Sequence, residues 1–156
     1  MQPLDSSLNA AIIHIAGKLF PLGFDVSDTA PSSFKELCGH LNAGNRMVVF
    51  AGGSDRTIYA DPEVNWAFRA WHDWCHWRGV HDLTLESERA VCRMQTWHIR
   101  KLYGEVIARK WGSIIRAEII GQAQYFHCHK RFPEDQRGFI EAYLRDRDEA
   151  LLWPLW

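Results

Sequence analysis

Cysteine is scarce and carries no pattern. Cys38, Cys75, Cys92 and Cys128 form no C-x-x-C pair. That spacing excludes a zinc ribbon and argues for reduced thiols rather than a disulfide frame. Neither sign of charge dominates, with 18 basic and 19 acidic residues and a net charge of −1. No basic tract stands out, which excludes a large phosphate-binding footprint and a polybasic membrane anchor. No nucleic-acid or membrane partner is therefore expected. Long apolar runs are missing too. The opening MQPLDSSLNAAIIHIAGKLF lacks a positive n-region and carries His14 within its apolar stretch. That argues against a signal peptide or a membrane span and points to the cytoplasm.

Several catalytic signatures are also missing. There is no G-x-x-x-x-G-K-[ST], no G-x-G-x-x-G and no G-x-S-x-G. Gly52-Gly53-Ser54 reads as a turn rather than a phosphate loop. No Glu-x-x-His occurs anywhere, which removes the carboxylate-bridged di-iron bundle from consideration. An HD-type phosphohydrolase would need a later aspartate, and the helices after residue 88 offer no convincing one.

Aromatic side chains are abundant. They make up 13% of the 156 residues, and eight are tryptophan. That supplies a core and material for an apolar pocket or subunit interface. Length and periodicity predict one mainly α domain over residues 1–156, with five to six helices and one small β-hairpin. Leu8, Ile12, Ile13, Ala16 and Leu19 or Phe20 recur at helical spacing behind Asp5 or Ser6. Ser33 and Glu36 are spaced as a capping box, with Gly44 past the helix end. Met47–Ala51 and Thr57–Tyr59 flank a Gly-Gly-Ser-Asp turn and read as the hairpin. Asp61-Pro62 opens a helix to Gly79, and Thr84 opens another to Leu102 or Tyr103. A long helical stretch from Glu105 to about Lys130, broken near Gly112 and Ser113, precedes a last helix begun by Pro133–Asp135.

The Pro62–Gly79 helix is the most informative segment. Val64, Ala67, Phe68, Trp71, Trp74 and Cys75 make an apolar face, while Asn65, Arg69, His72 and His76 form a polar stripe beside it. A helix apolar over most of its circumference is buried, so its polar stripe needs partners or lines a cleft. His72 and His76, at i and i+4, can bind one ion, as in H-E-x-x-H zinc hydrolases. Here the motif is H-D-x-x-H, and Asp73 is one methylene shorter than the usual glutamate. Glu118 on a second helix is the expected third ligand, with Glu88 the other candidate. Glu118, Gln122, Tyr125 and His129 repeat the four-three-four spacing of the first stripe. The site so assembled takes His72, His76 and Glu118 as ligands of a divalent metal such as zinc. Asp73 and Glu88 handle protons, and Asn65, Arg69 and Gln122 hold substrate.

The series Asp61-Pro62, Asn65, Arg69-Ala70-Trp71-His72-Asp73, His76, Glu88, Ala117-Glu118, Gly121-Gln122 and Asp135-Gln136 resembles small proteins encoded by bacteriophages and prophages. The resemblance covers residues about 50 to 145. It implies a bacterial host cell as the setting and brings no activity with it. Two functions follow from the residues. One is a metal-dependent hydrolase; the other is a binding or inhibitor protein that meets a host protein through its aromatic surface.

Trp153, Pro154, Leu155 and Trp156 are expected either to cover the helical core or to pack across a homodimer interface, since a packed tryptophan buries about 150–250 Å². The interface is favoured because six other tryptophans already serve the core. Deleting residues 153 to 156 should then turn a dimer into a monomer by light scattering. A wild-type protein that is already monomeric contradicts the expectation.

Overall fold

A computed structural model describes residues 1–152. The chain divides into two compact units, 1–83 and 84–156. The fold is mainly α with one small β element, as the periodicity predicts. The tryptophan-rich tail that carried the dimer expectation lies outside the described residues. Among the described residues, no helix is long and apolar enough to cross a membrane.

The first unit runs α1 (Ser6–Leu19), β1 (Asp25–Ser27), α2 (Phe34–Asn42), β2 (Val48–Phe50) and α3 (Pro62–Gly79). Its helix starts are set by local side chains. Asp5 accepts from the Leu8 amide, Ser33 from Glu36 and Asp61 from Glu63, each satisfying an orphan first-turn donor. The second half of the predicted capping box is displaced by one residue. The Glu36 carboxylate reaches the Ser32 amide and hydroxyl at 2.8 and 2.9 Å. Those two bonds hold its carboxyl below the usual carboxylate range.

The hairpin expectation is corrected. β1 and β2 pair in parallel, with Asp25 opposite Val48 and Ser27 opposite Phe50. A parallel pair needs a crossover, and α2 supplies it. The Gly-, Asp-, Ser- and Pro-rich segment between α1 and α2 therefore contains a strand, Asp25–Ser27. Thr57, Ile58 and Tyr59 form a turn instead, and all are buried. Their carbonyls serve α1 and its leader: Leu4 N–H donates to Ile58 O at 2.8 Å, and Asn9 Nδ2 to Tyr59 O at 2.9 Å. The run expected as the second hairpin strand is thus buried, and its hydrogen bonds go to α1 and its leader rather than to a strand.

α3 is the centre of this unit and packs against α1, α2 and β2. One side of the unit's core is a cluster of Leu37, Met47, Val49 and Ala70, walled by Trp66, Trp74 and Trp77. Val64, Ala67, Phe68, Trp71 and Cys75 are buried as well, and α1 contributes Leu8, Ala11, Ile12, Ile15 and Ala16. Gly79 is the last helical residue, and the left-handed cap falls on Val80 at φ 53°, ψ 46°. A β-branched residue there is strained by about 1–2 kcal/mol.

The second unit holds α4 (Leu85–Tyr103), α5 (Glu105–Arg116), a π-helical turn (Ala117–Gly121), α6 (Gln122–His129), α7 (Gln136–Arg145) and α8 (Arg147–Leu152). Thr84 caps α4 by accepting from Ser87 N–H, and Gly104 at φ 88° separates α4 from α5. The break expected near Gly112 and Ser113 does not occur. The helix continues and instead widens into the π turn, all five residues of which are buried. This turn touches α4, α5, α6 and α7, so it is the packing centre of the second unit. Asp135 caps α7 through Gly138 N–H, and α8 adds a short helix that the sequence reading had not separated.

Two glycines should respond oppositely to alanine. A methyl at Gly121 would lie 3.2–3.3 Å from the Tyr143 ring, which is held by its hydroxyl donating to Gln124 Oε1 at 2.8 Å. A methyl at Gly39, inside α2, meets nothing within 4 Å. Urea denaturation should show Gly121→Ala destabilised by about 1 kcal/mol. It should show Gly39→Ala stabilised by roughly 0.5–1 kcal/mol. Equal shifts in the two variants would contradict this packing.

Candidate functional site

The polar stripe of α3 has two ends with different tasks. Its N-terminal end holds the loop after β2. Buried Asn65 donates from Nδ2 to Ser54 Oγ at 2.9 Å, and Ser54 donates on to Ala51 O at 3.2 Å. Trp66 Nε1 donates to the same Ala51 carbonyl at 3.0 Å. Arg69 spreads its guanidinium over three more carbonyls: Phe50 O at 2.8 Å, Gly52 O at 2.6 Å and Gly53 O at 3.2 Å. Of the two residues assigned to substrate from the sequence, Arg69 thus binds backbone carbonyls of its own chain and Asn65 the Ser54 hydroxyl. The reason is backbone accounting: the chain leaves the sheet after Phe50, with Ala51 N–H still donating to Ser27 O at 3.1 Å, and the carbonyls of Phe50, Ala51, Gly52 and Gly53 take their donors from α3.

The C-terminal end holds the two histidines. His76 is fully buried and His72 half-buried. Their Nε2 atoms lie 3.0 Å apart, with ring centroids 4.6 Å apart and planes at 78°. His76 Nδ1 sits 2.9 Å from the His81 carbonyl. Phe68, one turn back, stacks on His72 at 6.3 Å and 17°, and itself contacts Tyr59 and Trp71. The expected convergence of the pair on one face is therefore present, set in an aromatic wall. Two nitrogens each ~2.0–2.1 Å from one tetrahedral ion would be ~3.3–3.4 Å apart. The observed spacing needs to open by only a few tenths of an ångström to take an ion.

Asp73 is half-buried and lies one residue, about 100°, around the helix from His72. That places it on the Ala70 and Trp77 side rather than in the histidine stripe. Cys75 is buried between the two histidines in sequence. Burial, and then the charge of Asp73, push its thiol up to about 12. It is a core thiol and not a nucleophile.

In the second unit, Glu88 stands half-buried in the first turn of α4. Glu118 is buried in the π turn and accepts from Gln122 Nε2 at 2.7 Å. The matched stripe on this helix thus begins with an internal carboxylate–carboxamide pair. His129, at its far end, is engaged by the Leu151 carbonyl at 2.8 Å and packs on Tyr125 at 4.3 Å. The π turn is the feature that sequence reading missed. Its only visible signal is a glycine and an acid inside an otherwise apolar helical run, and π turns recur at functional positions.

Comparisons with family models, curated proteins and solved structures find no match for this chain.

The thiols offer a direct check. At about pH 8 a thiol reagent should label exposed Cys128 and spare Cys75, whose thiolate fraction would be roughly one in ten thousand. Rapid labelling of Cys75 in folded protein would contradict its placement. Separately, Arg69→Leu should cost about 1–3 kcal/mol and expose the 50–54 amides to hydrogen exchange, because three carbonyls lose their donor. Unchanged exchange there would show that the loop holds itself.

Proposed function

We propose that the protein is a divalent-metal-binding hydrolase whose ligands are His72, His76 and Glu88. The observation that carries this reading is the 3.0 Å approach of two imidazole nitrogens inside an aromatic wall. His72, His76 and Glu88 offer two imidazole nitrogens and a carboxylate oxygen, a group that could hold a metal ion. Two histidines and one acid match the donor set of hydrolytic zinc centres, which leave further coordination positions open. Glu88 here takes the ligand place first given to Glu118, whose carboxylate is already paired with Gln122. An ion so held would activate water and polarise a carbonyl or phosphoryl oxygen. Asp73, on the neighbouring side of α3, receives no part in this assignment. Asn65 and Arg69 act by shaping the loop beside the stripe rather than by meeting substrate. The phage-type origin rests on the residue series alone and adds no chemistry.

A second reading, a binding protein that acts through aromatic surface, is favoured by one observation. Phe126 and Phe132 stack at 4.9 Å while remaining 43% and 56% exposed. Apolar surface of that kind is a usual mark of a contact site.

Zinc titration separates the two. Wild-type protein should take up one ion per chain and melt at a higher temperature with zinc present, by linkage. His72→Ala and Glu88→Gln should each lose the ion and the zinc-dependent shift. A folded wild type with no uptake would sink the metal reading and leave the contact-surface reading standing.

A further inference from the structure

The end of α3 is built in an unusual way, and the construction bears on one atom of His76. Val80 adopts the left-handed conformation although it is β-branched and 77% exposed. Exposure rules out core packing as the reason for the strain. Its neighbours hold it there. Val80 N–H donates to Trp77 O at 3.3 Å, and His81 N–H donates to His76 O at 3.0 Å. This is the Schellman arrangement, which ordinarily uses glycine at the left-handed position. Here Gly79 stands one residue too early. The turn brings the His81 carbonyl to within 2.9 Å of His76 Nδ1. His76 and His81 are therefore clasped twice, through the His76 carbonyl and through its ring.

We infer that the Val80–His81 turn is a positioning device that locks His76 as its Nδ1–H tautomer and presents the Nε2 lone pair to His72. The argument is one of donors and acceptors. A backbone carbonyl only accepts, so His76 Nδ1 must carry the proton. In a neutral ring, Nε2 is then an acceptor. In metal-free protein the 3.0 Å contact is accordingly a His72 Nε2–H donating to His76 Nε2. When an ion takes that proton's place, His72 loses the proton at Nε2 and takes one up at Nδ1, so the ring stays neutral and the site gains only the ion's charge. His76 needs no rearrangement. A hydrogen bond to the far ring nitrogen is how ligating histidines are commonly oriented. His81 acts through His76 and is a positioning residue.

The tautomer can be read without any metal. Long-range 1H–15N spectra of metal-free protein at about pH 8, above the ordinary imidazole value of ~6.5, should show His76 as Nδ1–H. Neutral histidine in water favours the opposite form. An Nε2–H signal, or a mixture of the two, overturns the inference. Val80→Gly keeps the left-handed turn accessible and should leave the His76 signal unchanged. Val80→Pro, with φ held near −65°, forbids the turn and should convert His76 to a mixture of tautomers. Because Val80 is exposed, the core is left intact, which circular dichroism would confirm. A folded Val80→Pro protein that retains pure Nδ1–H also overturns it. The consequence for zinc rests on the proposed metal site: Val80→Pro should weaken zinc binding about 10- to 100-fold. Wild-type protein with the Nδ1–H form and no zinc uptake supports the tautomer lock and refutes the metal site, so the two stand or fall separately.

Discussion

The first unit depends on the burial of α3. Helices α1 and α2 and strand β2 all pack on it, and Ala70, Trp71, Cys75 and His76 are inaccessible to water. A helix in that position cannot leave a polar side chain unsatisfied without losing about 1–3 kcal/mol. Every polar residue along its stripe therefore has to be matched by something the rest of the chain supplies. Asn65 and Arg69 are matched by the carbonyls and hydroxyl of the 50–54 loop. His76 is matched by the His81 carbonyl beyond the helix end and by His72 within it. The loop after β2 and the turn at Val80 and His81 are the segments that supply those partners.

The second unit solves a related problem differently. Its buried acid, Glu118, sits where the long helix widens into a π turn, and Gln122 caps the carboxylate. Gly121 lets Tyr143 lie flat against the same turn, and α7 is anchored there. A regular α-helix with the same residues would rotate the later side chains by about 100° for each residue gained or lost. The π turn thus resets which face of α6 carries Tyr125 and His129.

Much of the local architecture was legible in the residues. Asp5, Ser33, Asp61-Pro62, Thr84 and Asp135 mark the helix starts, because capping is decided within four residues of chain. The pairing of His72 with His76 was legible for the same reason: i and i+4 share a face in any α-helix. Three features were not. The partner of β2 is β1, across a helix, and pairing over that separation leaves no local signal. The π turn follows from packing around α4 and α7. The left-handed Val80 contradicts residue preference and is held by bonds from its neighbours.

The sequence by itself determined a mainly helical chain, the start of each long helix, and a histidine pair on a buried helix face. Those properties depend on period and on contacts a few residues long. Tertiary structure decided what the polar residues of that face are for. Arg69 and Asn65 could have met a ligand or a backbone with equal ease, since the same donors suit either. Only the placement of the 50–54 loop gave Arg69 carbonyls, and Asn65 the Ser54 hydroxyl, of their own chain. His76 could have presented either ring nitrogen, and only the turn at Val80 and His81 selected one. A side chain's hydrogen-bonding capacity is written in its chemistry, but the partner that uses it is set by which distant segments the fold brings within 3 Å or so.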